Sequence, residues 1–411
     1  MRLPAVLRNT KFAAYWTAAL TSSLGDAIFM VTLSWMAVKS AHSGTLLGLL
    51  MGVMSFPPII FSILGGVWVD RNHPKWLMVG SNGMRMVAII FLIIAHSSGD
   101  PSKWPLFAVA LLFGTVDAVF WPAALALKQS LVDQTHLVRS NALLMMAFQG
   151  AQIAGPAIAG VLITNGRFTP ALGACIGAYS LSTLTLLMLT TSRSLGPASN
   201  SHSLWNDVRE SIQFMRKQPL LAVTSLSALM VNISLAAVMV AIPLLAHSQG
   251  YGSRGFGLMT AAMGMGGAIG AIGLLIIPVA RPTPRMTLTA CGIEGVLFIL
   301  LAGSHNLWSV VVLLGLVGIV EVAINTIAPS VNQHIIPAAI FGRVISFTIV
   351  LMQSGEPVAK ALAGWAITRL GVAASLSAAG LLELAVALIA FFMPPVRQYA
   401  RQSRREQQIG S

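Results

Sequence analysis

Acidic residues are scarce in this chain, with 12 Asp and Glu among 411 residues against 25 Lys and Arg. Charged residues of both signs make up only 9% of the sequence, where soluble domains carry roughly 25%. That shortage excludes an ordinary soluble domain. Cysteine is scarcer still. Cys175 and Cys291 are the only two, in separate apolar stretches with no paired spacing, which excludes a disulfide framework or a cysteine-built zinc site. No Lys follows a Gly, so the phosphate-binding loop of an ATPase is missing. No H-E-x-x-H or G-x-S-x-G occurs, and the eight His are scattered near the ends of apolar stretches. The sequence therefore predicts neither a metal site nor an enzyme, and any work must draw on an ion gradient.

What the chain has in abundance is apolar length. Hydrophobic residues make up 56% of it, and its mean hydropathy is +0.79. A hydrocarbon core of ~30 Å needs about 20 apolar residues per helix. That ruler gives twelve candidate spans, at 12–37, 44–69, 76–96, 105–127, 141–163, 170–190, 220–247, 255–278, 286–303, 306–328, 344–367 and 371–393. Lipid offers no partner to an open strand edge, so the spans are expected to be helices. The first is too long for a cleaved signal peptide and contains Asp26. The prediction is an all-α polytopic membrane protein embedded in a lipid bilayer.

The net charge of +13 is read through its distribution. With the loops numbered alternately from an inside N-terminus, eighteen of the 25 Lys and Arg fall inside and five outside. Basic residues accumulate on the cytoplasmic side, which predicts cytoplasmic termini. The basic balance is a topology signal and not a nucleic-acid footprint. Trp16, Trp35, Trp104 and Trp308 lie near span ends, where they are expected to anchor at the interface.

The longest polar stretch, 191–219, divides the spans six and six. Leu204, Val208, Ile212 and Met215 recur there at helical spacing, opposite Arg209, Arg216 and Lys217. Two readings remain open, an amphipathic helix on the cytoplasmic surface and a solvated linker. The expected organisation is an N-terminal six-helix bundle at 1–190, this linker, a C-terminal bundle at 220–393 and a basic cytoplasmic tail at 394–411. Internal symmetry supports the division. A shift of 204 residues places Gly114 on Gly318, Asp117 on Glu321, Gln129 on Gln333, Arg139 on Arg343, Gln149 on Gln353 and Gly160 on Gly364. A shift of 210 places RNHPK (71–75) on RPTPR (281–285), but opposite Asp70 stands Ala280.

Twelve spans, a central linker and this repeat resemble the Major Facilitator Superfamily. The run GGVWVDRNHPK is similar to that family's signature between spans two and three, matched by Gly66, Asp70, Arg71 and Lys75. The usual second Gly and following Arg are replaced by His73 and Pro74. GPAIAG, with Gly155, Pro156 and Gly160, resembles the family's antiporter motif. SSLGDAIF, FWPAALALKQSLV, LVRSNALL and GRVISF are closest to the macrolide-efflux and siderophore-export branch. The resemblance implies two pseudo-symmetric six-helix bundles, with spans one, four, seven and ten around a cavity. It also implies a cytoplasmic latch in which Asp70 meets the start of span eleven, near Gly342 and Arg343. The Arg common in span four of drug antiporters is absent here, with Asp117 nearby instead.

Charge inside a bilayer costs at least ~2.5 kcal/mol on insertion scales. Asp26, Asp117, Glu294, Glu321, Glu356 and Glu383 all fall within spans. Each can couple protons or can fix packing through a buried hydrogen bond. The repeat favours coupling for Asp117 and Glu321, Asp26 is open between the two, and Asn232 holds a comparable place in span seven. Spans nine and twelve are peripheral in the resembled fold, which favours packing for Glu294 and Glu383. Glu356 and Lys360 stand four apart in the favourable order for a helix pair. Arg85 and Asp117 share a depth on consecutive antiparallel helices and can pair. Trp121 and Phe148 are candidate substrate contacts. Small residues at Gly266 and Gly270 are expected to permit close helix packing.

These readings together predict a proton-driven exporter of bulky amphiphilic small molecules across a bacterial cytoplasmic membrane, acting as a monomer and without a cofactor. Siderophore export and lysophospholipid flipping are the alternatives within transport. A non-transporting membrane sensor is the alternative outside it.

Overall fold

The computed structural model describes residues 9–41, 43–71, 73–98, 103–132, 137–163, 166–189, 204–277, 279, 282–337 and 340–399. Within them the side chains of 41, 61–71, 137–139, 204–208, 334 and 341–343 lie outside the description. Fourteen helices follow one another among the described residues: α1 (Thr10–Ala41), α2 (Gly44–Arg71), α3 (Pro74–Ser97), α4 (Trp104–Leu131), α5 (Leu137–Leu162), α6 (Thr169–Leu187), α7 (Leu204–Lys217), α8 (Pro219–Ser248), α9 (Gly252–Ile276), α10 (Pro284–Ala302), α11 (Leu307–Ile335), α12 (Phe341–Ser354), α13 (Glu356–Leu370) and α14 (Val372–Phe392).

Ten of these are long and apolar enough to cross a membrane, and Gly44–Ile60 of α2 is a shorter apolar helix. The expected eleventh span is two helices, α12 and α13, meeting at Gly355. The cause is Pro357, which has no N–H to donate and whose ring crowds the preceding turn. With that span divided, the helices form the expected all-α, twelve-span architecture.

The chain divides into two compact units, Met1–Ser199 with Ile242–Gly264, and Asn200–Ala241 with Met265–Ser411. In the first, α1 packs against α5 and α6, α2 against α4, and α3 against α4 and α6. Phe12, Tyr15, Met78, Phe120 and Leu127 join in one apolar cluster, and the Tyr15 hydroxyl donates to the Ala124 carbonyl at 2.8 Å. Phe29 and Phe113 stack with ring centroids 3.7 Å apart. In the second unit α10 packs against α14 and α11, and α7 against α12.

Helix α7 falls in the expected linker. Ile212 is exposed, while Ser211 is buried and Phe214 packs against Leu221, Ile336 and Val344. Of the four expected interface tryptophans, Trp35 is packed inside the protein instead, and Trp16 is partly buried. Trp35 is 3% exposed and stacks on Phe256 with centroids 5.9 Å apart. Trp16 donates its indole N–H to the Leu143 carbonyl at 2.8 Å. A partner inside the protein satisfies a tryptophan as well as the interface does. Trp104 and Trp308 are exposed as expected.

Candidate functional site

Helix α3 carries a continuous inward face of Met78, Ser81, Asn82, Arg85, Ala88, Ile89 and Leu92. Position and spacing put Asn82 and Arg85 on one side of the helix, three residues apart. Arg85 is wholly buried. A buried guanidinium is tolerable only when paired and hydrogen-bonded, and four helices supply its partners. Its Nη2 binds the Asp117 carboxylate of α4 in a short ion pair and lies 3.5 Å from Asp26 Oδ1 of α1. Its Nη1 donates to Ser22 Oγ at 2.9 Å and to Asn82 Oδ1 at 3.3 Å. The rings of Phe120 and Tyr179 flank the guanidinium carbon at 4.5 and 5.3 Å, within cation–π range.

A second ring of bonds holds the acids in place. The Tyr179 hydroxyl of α6 donates to Asp26 Oδ1 at 2.7 Å. Asn82 Nδ2 donates to Ser182 Oγ at 2.9 Å, and Ser182 donates to the Ala18 carbonyl at 2.8 Å. The Asp26 and Asp117 side chains remain 21% and 25% exposed while Arg85 is at 0%. The acids are therefore reachable from outside the cluster and the cation is not. The cluster holds one cation and two acids, which leaves one negative charge to be met by a proton or a positive ligand.

The second unit contains a cavity of about 340 Å³ between α8, α10, α11 and α12. Glu321 and Asn232 both line it, together with Asn325, Asn332, Thr348 and Glu294. Asn325 and Asn332 follow Glu321 at four and eleven residues along α11, which keeps them on its cavity face. Asn232 also donates to the Ala228 carbonyl of its own helix at 2.8 Å.

Glu294 and Glu383, for which packing is expected, meet where α10 crosses α14. Glu294 is 1% and Glu383 0% exposed. The two carboxyls hydrogen-bond each other, Glu294 Oε1 and both Glu383 oxygens receive no donor from any other described group, and Glu294 faces the cavity. They are driven inward by the close crossing of α10 and α14. A Cβ built on Gly295 would lie 2.7 Å from the Gly380 carbonyl oxygen, so these backbones meet only because both residues are Gly.

Of the latch motif, Gly66, Asp70 and Arg71, with their expected counterparts Gly342 and Arg343, have side chains outside the described residues. Lys75 is described. Its Nζ donates to the Leu187 and Leu189 carbonyls at 3.2 and 2.7 Å, capping the end of α6, where a cation complements the helix dipole. In the antiporter motif, Gly155 brings α5 against α1 beside Asp26, since a Cβ there would lie 2.5 Å from Ala27 Cβ. Pro156 and Gly160 face Gly257 of α9, and Ser253 donates to the Ile163 carbonyl at 2.6 Å. Glu356 and Lys360 form an ion pair at 2.5 Å within α13. Trp121 and Phe148 meet edge to face with centroids 5.8 Å apart, and Trp121 is exposed.

Sequence reasoning passed over Tyr179, Asn82 and Ser22, and over Asn325 and Asn332. Two of them carried a signal, because Asn82 shares a helix face with Arg85 and Asn325 shares one with Glu321. Ser22 and Tyr179 are joined to the cluster only by tertiary packing.

The sequence profile of the Major Facilitator Superfamily matches residues 15–355. The chain is 25% identical over 383 residues to the enterobactin exporter EntS of Shigella boydii serotype 4 (strain Sb227), covering 92% of this chain and 91% of the relative. It is 24% identical over 406 residues to the enterobactin exporter EntS of Escherichia coli (strain K12), covering 98% and 96%. In fold it is similar to the crystal structure of the nucleoside transporter NupG, with a TM-score of 0.74, 12% identity, and 92% and 98% of the two chains covered. It is likewise similar to a bacterial homologue of the iron transporter ferroportin in an inward-facing state, with a TM-score of 0.66, 13% identity, and 95% and 100% covered. A twelve-span helical protein matched over most of its length by that profile is a multi-pass membrane transporter, and the chain belongs to the Major Facilitator Superfamily.

Proposed function

We propose that the protein is a proton-coupled exporter that moves an amphiphilic small molecule of the siderophore class out of a bacterial cytoplasm. It works by alternating access, as a monomer with cytoplasmic termini. The observation that carries the coupling is the one-cation, two-acid cluster of Arg85, Asp26 and Asp117. Its uncompensated negative charge takes up a proton, and release of that proton frees an acid to hold Arg85 more tightly. Glu321, the repeat counterpart of Asp117, lines the cavity of the second unit and is the second coupling acid. The siderophore class is supported by similarity to enterobactin exporters along nearly the whole chain. The cavity's apolar wall with three asparagine amides suits a molecule that is both greasy and rich in hydrogen-bonding groups.

A second reading, export of cationic or macrolide-like drugs, is favoured by one observation. Glu294 and Glu321 face the same cavity, and acidic walls attract cations. The test uses everted vesicles with an acid interior and a trapped pH dye, challenged with enterobactin, a macrolide or a lipophilic cation. Enterobactin is expected to release protons, and Asp117→Asn to abolish that release. A response to the drugs alone would carry the second reading instead. Silence towards all three, with lysophospholipid flipping intact, would overturn both.

A further inference from the structure

The Glu294–Glu383 pair is the least explained feature of the second unit. Two acids are sequestered there from water on α10 and α14. The groups that act on Glu294 are Glu321 and Glu383, and the carboxyl acting on Glu383 is Glu294. Cys291, also buried on α10 and lining the cavity, is within reach of both. From α8 the polar groups lining the cavity are Thr224, Ser225, Ser227 and Asn232, all uncharged. No cation is among these groups. Arg285, on the same helix, lies against Phe391 with its guanidinium carbon 5.0 Å from the ring centroid.

Packing alone does not account for this arrangement. The carboxyls have only each other as hydrogen-bond partners at three of their four oxygens, a bond that itself needs a proton, and an apolar side chain of similar volume would fill the space better. Two ionised carboxylates cannot remain side by side out of water without a cation, so the pair must hold at least one proton. Glu294 is also the member that opens on the cavity. It links the buried acid to the one that water or cargo can reach.

We propose that Glu294 and Glu383 form a second proton-binding site, set behind the cavity, which exchanges protons with cavity water through Glu321. A proton leaving the Glu383 carboxyl passes to the Glu294 carboxylate, then to Glu321 and to water. Each proton lost lowers the cluster's charge by one, and no other bond is made or broken. The proposal rests on the export reading for its role in transport, but not for the protonation itself.

The test separates these two. Dicyclohexylcarbodiimide is lipophilic and reacts with carboxyls in their protonated form. The full-length protein, in liposomes, is treated at neutral and at alkaline pH, and the modified peptides are identified by mass spectrometry. Labelling at Glu294, Glu383 or both at neutral pH, lost at alkaline pH, is expected whatever the cargo. Absence of labelling at both residues at neutral and acidic pH would overturn the site while leaving the export reading intact. In transport, Glu383→Gln is expected to reduce pH-driven enterobactin uptake into everted vesicles at least tenfold, while enterobactin exchange without net proton movement survives. Equal retention of both activities would reduce the pair to a packing element. Labelling blocked by sodium at constant pH would make it a metal-cation site instead. Should the variant fail to fold, the wild-type labelling pattern still decides.

Discussion

Arg85 is the residue on which most of the first unit's polar structure converges. Removing one partner of a buried ion pair typically costs about 3–5 kcal/mol, because the other charge is stranded. Arg85→Ala strands two acids, whereas Asp117→Asn leaves Arg85 beside Asp26. The expected outcome is a larger fall in Tm for Arg85→Ala than for Asp117→Asn, measured by tryptophan fluorescence in detergent. The double variant is expected to recover part of the Arg85→Ala loss. Arg85→Lys keeps the charge but not the planar fork, and its Tm should fall between wild type and Arg85→Ala. At this scale the sequence was informative about pairs sharing depth or helical spacing. Arg85 with Asp117 and Glu356 with Lys360 were both readable. The cluster's third and fourth sides, Asp26 and Tyr179, come from α1 and α6, and only tertiary packing brings them in. The same holds for Glu294. The contact of its neighbour Gly295 with Gly380, which turns Glu294 inward, carried no signal in the sequence.

Helices in this protein meet through glycine as much as through large side chains. A Cβ on Gly266 would collide with the backbone of Gly315 on α11, whereas one on Gly173 of α6 would meet nothing within 4 Å. Overpacking a tight contact typically costs about 1–3 kcal/mol, while replacing an uncrowded helical Gly by Ala gains up to ~1 kcal/mol. Gly266→Ala should therefore lower the Tm and Gly173→Ala leave it unchanged or slightly raised, in parallel melts of the two variants. The small-residue reading of Gly266 followed from its place in an apolar helix. The break between α12 and α13 did not emerge, although Gly355, Glu356 and Pro357 stand together in the sequence. A span judged by hydropathy stays continuous across a single Pro, because the ring itself is apolar. The inward turn of Trp35 was hidden for a related reason, since an indole near a span end fits the interface and a packed core equally well.

For the whole molecule, the two cysteines offer a means of testing orientation. Cys175 and Cys291 are both buried, so the native chain is expected to be silent towards a membrane-impermeant maleimide. Ser98 and Gln218 are exposed and lie at opposite expected faces. Ser98→Cys should label from outside intact cells, and Gln218→Cys only after permeabilisation. The reverse pattern would invert the topology drawn from the Lys and Arg distribution. The repeat was legible at this scale, and it also locates a difference between the halves. Helices α3 and α10 begin 210 residues apart, at Pro74 and Pro284. Opposite Arg85 therefore stands Gly295, next to Glu294. The first unit answers its acids with a guanidinium at this position, whereas among the described residues the groups acting on Glu294 in the second are acids.

The cluster of Arg85, Asp26 and Asp117 also has an electrical consequence. With both acids ionised it carries one negative charge, and with one proton bound it is neutral. A carrier built on it would reorient without moving charge when loaded with a proton, and would carry one charge when free of it. Moving an elementary charge through 100 mV is worth about 2.3 kcal/mol. Membrane voltage would then act on the proton-free leg, the one that carries an uncharged cargo outward, so that turnover responds to the electrical potential even where the pH is equal on both sides.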